Sequence, residues 1–120
     1  MQTIKPADRR VVNIKTAKFA PFITGGAEVP GQAYLQLDPE FPPGTGFHIY
    51  RMAPGSSSQP HEHTCHEQFL VLDGELTDNG GTVYRPGDFV LLAEGTEHSS
   101  STRTGCTLAV FIATPERNLP

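Results

Sequence analysis

Two cysteines in 120 residues are too few for a disulfide framework. Cys106 sits in "GCTLAVF", an apolar stretch that reads as a buried strand, and is expected to be a small core residue. Cys65 lies among histidines, which are better ligands for most divalent ions, so a ligand role for it is not the expectation. Basic charge is also scarce. Nine Lys and Arg stand against thirteen Asp and Glu, and they form no cluster. Nucleic acid and anionic membrane are therefore not expected partners. Long apolar runs are missing: "LAVFIA" at 108–113 falls far short of the roughly 20 residues a membrane helix needs. The N-terminal "MQTIKPADRRVVNIK" is charged and has no apolar core of a signal peptide. A soluble, cytoplasmic chain is the expectation. No window carries a helical period over more than two turns. There is no internal repeat, no Ser-His-Asp array, no phosphate-binding glycine loop and no nucleotide fingerprint.

Glycine and proline are plentiful instead, at 12 and 11 residues. They punctuate strand-sized apolar segments: "GFHIYRMA", "EQFLVL", "GELTD", "TVY", "DFVLLA", "EHSSS" and "CTLAVFIA", with "RRVVNIK" and "AYLQLD" as weaker candidates. Asp73-Gly74 in "LDGEL" reads as a hairpin turn, and Asn79-Gly80 in "TDNGGT" as a second turn. Pro86-Gly87 and Glu94-Gly95 mark further turns. Many short strands with frequent turns predict an all-β antiparallel barrel or sandwich. The length fits a single domain over residues 1–120. Residues 1–10 are expected to be a loose arm, or an edge strand pairing with a second subunit.

The densest chemistry is in "PHEHTCHEQFLVLDGEL", residues 60–76. Side chains alternate faces along a strand, so His61 and His63 share a face, with Cα atoms about 6.6 Å apart. Two imidazoles at that spacing reach one metal ion. Glu67 has the same parity but would lie about 13 Å beyond His63 on a straight strand. A shared site therefore demands a bend at Thr64, Cys65 and His66. His66 has the wrong parity and is expected to be an exposed or hydrogen-bonding residue beside the site.

These residues resemble the first motif of the cupin superfamily, G-x5-H-x-H-x3-E-x6-G. Gly55, His61, His63, Glu67 and Gly74 stand at its five fixed positions. The second motif, G-x5-P-x-G-x2-H-x3-N, is matched by Gly87, Gly95 and His98, while Ala93 replaces its proline and Thr102 its asparagine. The resemblance implies a jelly-roll barrel of six to eight strands and frequent homodimers. It also implies one divalent metal held by His61, His63, Glu67 and His98. Three imidazoles and one carboxylate suit Mn, Fe, Ni, Co or Zn and leave a coordination position open for chemistry.

Small single-domain cupins resemble dioxygenases that cleave diketones, and isomerases or decarboxylases. A metal-dependent, dioxygenase-type enzyme on a small organic molecule is the favoured reading, with no residue singled out as catalytic. The stretch from Tyr50 to Ser100 is also similar to the cupin domain of zinc-binding anti-sigma factors, in its Pro-Gly turn, "LDGEL" and "RPGDF". Those proteins grip the sigma factor through a helical N-terminal domain. Strands are expected here from about residue 11, so the alternative is a lone sensor or binding module that detects oxidation through Cys65 and the metal. A structural metal barrel without chemistry is a third reading. Around the metal, Arg51 is expected to form a salt bridge or to hold a substrate carboxylate. His48 is expected to be a hydrogen-bonding residue, not a ligand. Glu97 is a candidate to orient an imidazole. Phe47, Tyr50, Phe69, Val71, Tyr84, Phe89, Leu91 and Phe111 are expected to supply most of the apolar wall.

Overall fold

One strand supplies half of the core. In Cys106–Ile112, the side chains of Cys106, Leu108, Val110 and Ile112 are all buried, while Phe111 between them is 39% exposed. This computed structural model describes residues 1–120. Its strands in chain order are β1 (Ala20–Thr24), β2 (Ala27–Gln36), β3 (Gly46–Met52), β4 (His61–Glu62), β5 (Glu67–Gly74), β6 (Leu76–Asp78), β7 (Val83–Tyr84), β8 (Phe89–Leu92), β9 (Glu97–His98), β10 (Ser100–Ser101), β11 (Cys106–Ile112) and β12 (Arg117–Asn118). Every pairing is antiparallel. The only helical element is a single 3-10 turn at Pro6–Asp8.

One wall of the barrel is a six-stranded sheet in the order β1-β2-β3-β11-β5-β8. Two three-stranded sheets, β10-β6-β7 and β12-β4-β9, complete the fold. The core comprises Met52, Phe69, Val71, Leu76, Cys106, Leu108, Val110 and Ile112, so Cys106 is the core residue its apolar context predicts. Truncating Phe69, which packs edge-on against Tyr84 at 5.3 Å, would cost about 3–5 kcal/mol.

Several expectations change. "RRVVNIK" forms no strand: Asn13 accepts the Lys15 N–H on its side chain and the Thr16 and Ala17 N–H groups on its carbonyl, closing a turn that competes with extension. β1 and the first half of β2 fall outside the predicted strands, which in this region are "RRVVNIK" and "AYLQLD" alone. Pro30 falls between the two stretches of β2 paired with β1, so its missing N–H costs no ladder bond there. Asp73-Gly74 is not a hairpin turn. β5 pairs with β11 and β8, while β6 pairs with β7 and β10 in another sheet, so the dipeptide is a crossing point between walls. Gly74 has φ +74° and lies so close to Gly105 that an added Cβ would sit 1.9 Å from that carbonyl oxygen. Only glycine fits. Asn79-Gly80 does close a hairpin, between β6 and β7, with the Asp78 carboxylate accepting the Gly80 and Thr82 N–H groups.

The apolar-wall expectation splits by parity. Tyr50, Phe69, Val71 and Tyr84 are buried or half-buried. Phe47, Phe89, Leu91 and Phe111 face outward on the large sheet, with Phe89 76% exposed and Phe47 65% exposed. Arg51 has the parity of Phe47 and also lies outside the barrel. It donates to the Ile14 carbonyl and stacks 3.9 Å over the Phe19 ring, so it reaches neither a carboxylate nor the interior.

Candidate metal centre

The inward face of β5 carries Glu67 ahead of Phe69 and Val71, so the strand that builds the core also aims a carboxylate into the barrel. The chain bends at Thr64 and Cys65, as a site shared by His63 and Glu67 requires. β4 and β9 then lie side by side with His61 opposite His98. The imidazole centroids of His61 and His98 are 4.7 Å apart, those of His63 and His98 4.7 Å, and those of His61 and His63 5.2 Å. Donor atoms of His61, His63 and His98 all lie within 4.8 Å of one another. Those of His63, Glu67 and Glu116 form a second group by the same measure. The four residues that the motif resemblance implies thus fall in two donor groups that share His63.

Each buried imidazole is held by its other nitrogen. His61 Nδ1–H donates to the Gln59 carbonyl at 2.7 Å. His63 Nδ1 lies 2.9 Å from Thr96 Oγ1, whose own proton goes to the Ala93 carbonyl at 2.6 Å. The Thr96 oxygen is thus left to accept, and the proton of His63 sits on Nδ1. In both rings Nε2 carries the lone pair. These two Nε2 atoms are buried and have no hydrogen-bond partner. His63 Nε2 faces Glu67 Oε1 at 3.4 Å, and His61 Nε2 faces Glu116 Oε1 at 3.4 Å. A lone pair opposite a carboxylate oxygen is repulsive unless a proton or a metal cation lies between them. Two donors each about 2.1 Å from one ion and a tetrahedral angle apart are about 3.4 Å from each other. The donor set and its spacing are compatible with a metal ion.

The electrostatics point the same way. Burial lowers the pKa of His61, and burial together with the neighbouring His61 lowers that of His98 to about 4. Both rings are neutral near pH 7, the form that ligates. Glu116 is pushed above the usual carboxylate range by burial and then by the charge of Glu67.

The remaining expectations resolve around this cluster. His66 is exposed and its Nδ1 accepts the Glu94 N–H, outside both donor groups. Cys65 is half-buried beside Thr114 and also outside them. Glu97 is exposed on β9 and orients no imidazole; Gln59 and Thr96 do that instead. Thr102, in place of the motif's asparagine, is buried and donates to the Glu75 carbonyl at 2.6 Å, a scaffold role. His48 is buried with Nδ1–H on the Gly46 carbonyl and lines the barrel cavity. That cavity runs from His61, Glu67, His98 and Glu116 to an apolar wall that includes Phe22, Val29 and Leu108. Tyr50 donates to the Gln32 side chain within it.

Glu116 was missed. It lies in "TPERNLP", after the last predicted strand, and no motif spacing reaches it. Pairing of β12 with β4, Asn118 opposite His61, swings it over the site.

A family model described as "ChrR Cupin-like domain" matches residues 7–114. The chain belongs to this cupin family. No curated protein sequence matches it. Among solved structures it is similar to the polyketide cyclase RemF from Streptomyces resistomycificus, at 20% identity over 93% of this chain and 86% of that one, with a TM-score of 0.70. It is similar to an acetylacetone dioxygenase from Acinetobacter johnsonii, at 17% identity over 100% of this chain and 84% of that one, with a TM-score of 0.72. A third likeness is to a chain in the complex of Rhodobacter sphaeroides SigE with the anti-sigma ChrR, at 20% identity, with a TM-score of 0.61. There the match covers 83% of this chain and 51% of the other. At these identities the likenesses establish the cupin fold, in agreement with the barrel the sequence predicts.

Proposed function

We propose that this protein is a metal-dependent enzyme, of dioxygenase type, that binds one divalent ion through His61, His63, Glu67 and His98 and acts on a small organic substrate in the barrel cavity. The observation that carries the reading is the pair of buried Nε2 atoms, on His61 and His63, that have no partner and face carboxylate oxygens. A buried polar group without a partner costs about 1–3 kcal/mol, and a bound cation removes that cost. The ion would supply Lewis acidity toward a substrate oxygen and, if it is iron, access to dioxygen. The chain does the rest. Gln59 and Thr96 fix the imidazole tautomers, the apolar wall excludes water, and the Tyr50–Gln32 pair offers one polar edge to orient a substrate. The test is oxygen uptake by iron-loaded protein given β-diketones, keto acids and phenols. Substrate-dependent uptake that Glu67→Gln abolishes supports the reading; uptake no greater than buffer across all three classes removes it.

The ChrR family match favours a second reading, a metal-binding sensor or regulatory module without turnover. It expects stoichiometric metal, no oxygen uptake, and recovery of a transcription factor in a pull-down. A homodimer belongs to the first proposal. Phe47 and Phe111 are in register on the outer face of the large sheet, and Leu70 is in register with Phe89 beside them. This exposed apolar patch is of the kind that partners cover.

A further inference from the structure

The four motif residues do not exhaust the donors around the site. We propose that Glu116 is a fifth metal-facing ligand, carried on a C-terminal strap that closes a coordination position the motif leaves open. This rests on the metal reading above.

The geometry is specific. Glu116 Oε1 is 3.4 Å from His61 Nε2, the same separation as Glu67 Oε1 from His63 Nε2. A carboxylate oxygen of Glu116 also lies within 4.8 Å of the donor atoms of His63 and Glu67. Both imidazoles are at least nine-tenths buried, and both Nε2 atoms lack a hydrogen-bond partner. Each orphaned lone pair thus has its own carboxylate facing it. Two carboxylates drawn into one part-buried pocket repel each other unless a proton or a cation lies between them, and a bound metal ion takes the place of that proton. Glu116 lies two residues beyond the segment that matches the family and outside both motifs.

The strap is fastened on both sides of Glu116. The Thr64 hydroxyl donates to the Pro115 carbonyl at 2.7 Å. Arg117 donates to Glu62 at 2.9 Å, Asn118 Nδ2 donates to Thr24 Oγ1 at 2.9 Å, and the Leu119 N–H reaches the Pro60 carbonyl at 2.9 Å. These bonds hold the carboxylate in place without using it. Three neutral imidazoles and two carboxylates around a dication sum to zero charge. An anionic ligand then gains no net attraction while Glu116 is bound, and it competes with Glu116 for the ion.

The test uses the full chain loaded with Co²⁺, with azide as the anionic probe and the visible absorption of the ion as readout. Glu116→Gln is expected to weaken Co²⁺ binding by roughly 10- to 100-fold, the range typical when a group that tunes a metal site is lost. It is also expected to bind azide more tightly than wild type. Glu40→Gln, at an exposed carboxylate in the loop before β3 and away from the strap, should leave the Co²⁺ spectrum and the azide affinity unchanged. Asn118→Ala loosens the strap without touching the carboxylate and should raise azide affinity, which keeps the question open to test if Glu116→Gln folds poorly. Wild-type Co²⁺ and azide affinities in both strap variants would overturn the inference and leave the four-ligand site standing. Failure of wild type to take up Co²⁺ would remove the metal reading itself, and this inference with it.

Discussion

A metal site built of buried histidines carries a signature opposite to that of an ordinary core residue, and His63→Leu exposes it. His63 is 2% exposed. Its Nδ1–H bond to Thr96 contributes about 1 kcal/mol, whereas its partnerless Nε2 costs about 1–3 kcal/mol in metal-free protein. Leucine removes both, at similar size, and Thr96 keeps its bond to the Ala93 carbonyl. The metal-free variant should therefore be as stable as wild type or up to about 2 kcal/mol more stable. For a chain of this length that is a rise in Tm of up to about 8 °C. Zinc at a thousand times its Kd should stabilise wild type by about 4 kcal/mol, or about 16 °C at the same slope. The variant lacks one donor and should gain little. Thermal melts of both proteins, in chelator and in zinc, should thus cross over. The reasoning is refuted if the variant loses about 2–5 kcal/mol in chelator, as a packed core residue would, and both proteins respond to zinc alike.

Gly74→Ala puts a Cβ 1.9 Å from the Gly105 carbonyl oxygen at a left-handed backbone position. It should cost about 3 kcal/mol or more, lowering Tm by about 12 °C; an unchanged melt would mean the two walls do not cross there. His98 titrates near 4 when folded and near 6.5 when unfolded, so between those values the unfolded chain binds more protons. His98 therefore makes metal-free protein lose stability as pH falls from about 6.5 through 4, and His98→Asn should flatten that part of a Tm-against-pH profile. Phe89→Asp introduces a charge at the most exposed phenylalanine of the large sheet. It should convert a dimer to a monomer in sedimentation without altering metal uptake, and a mass unchanged from wild type would place the interface elsewhere.

Spacing made the site legible. His61, His63 and Glu67 can be brought together from the period of a strand plus one bend, and His98 follows from the second motif. Glu116 could not be found that way, because a residue delivered by pairing of β12 with β4 has no fixed distance along the chain from the residues it meets. The barrel was legible from turns and short strands, but the facing of the large sheet was not. β3, β8 and β11 are apolar on both faces, so alternation vanishes and Phe47, Phe89, Leu91 and Phe111 read like core. The same loss of pattern hid the fact that Arg51 points outward. Asp73-Gly74 misled for a different reason. Its glycine answers to a close approach of Gly105, not to a two-residue turn, and the dipeptide alone cannot tell these apart.

The most direct measurement is the metal content of untagged protein purified without chelator, by elemental mass spectrometry, on wild type and His63→Leu side by side. The account expects about one divalent ion per wild-type chain and a large deficit in the variant. Iron or manganese would support the enzymatic reading, and zinc would shift weight to the sensor module. Wild-type protein that carries no ion, and takes up none on addition of Mn, Fe, Co, Ni or Zn, would contradict the central claim.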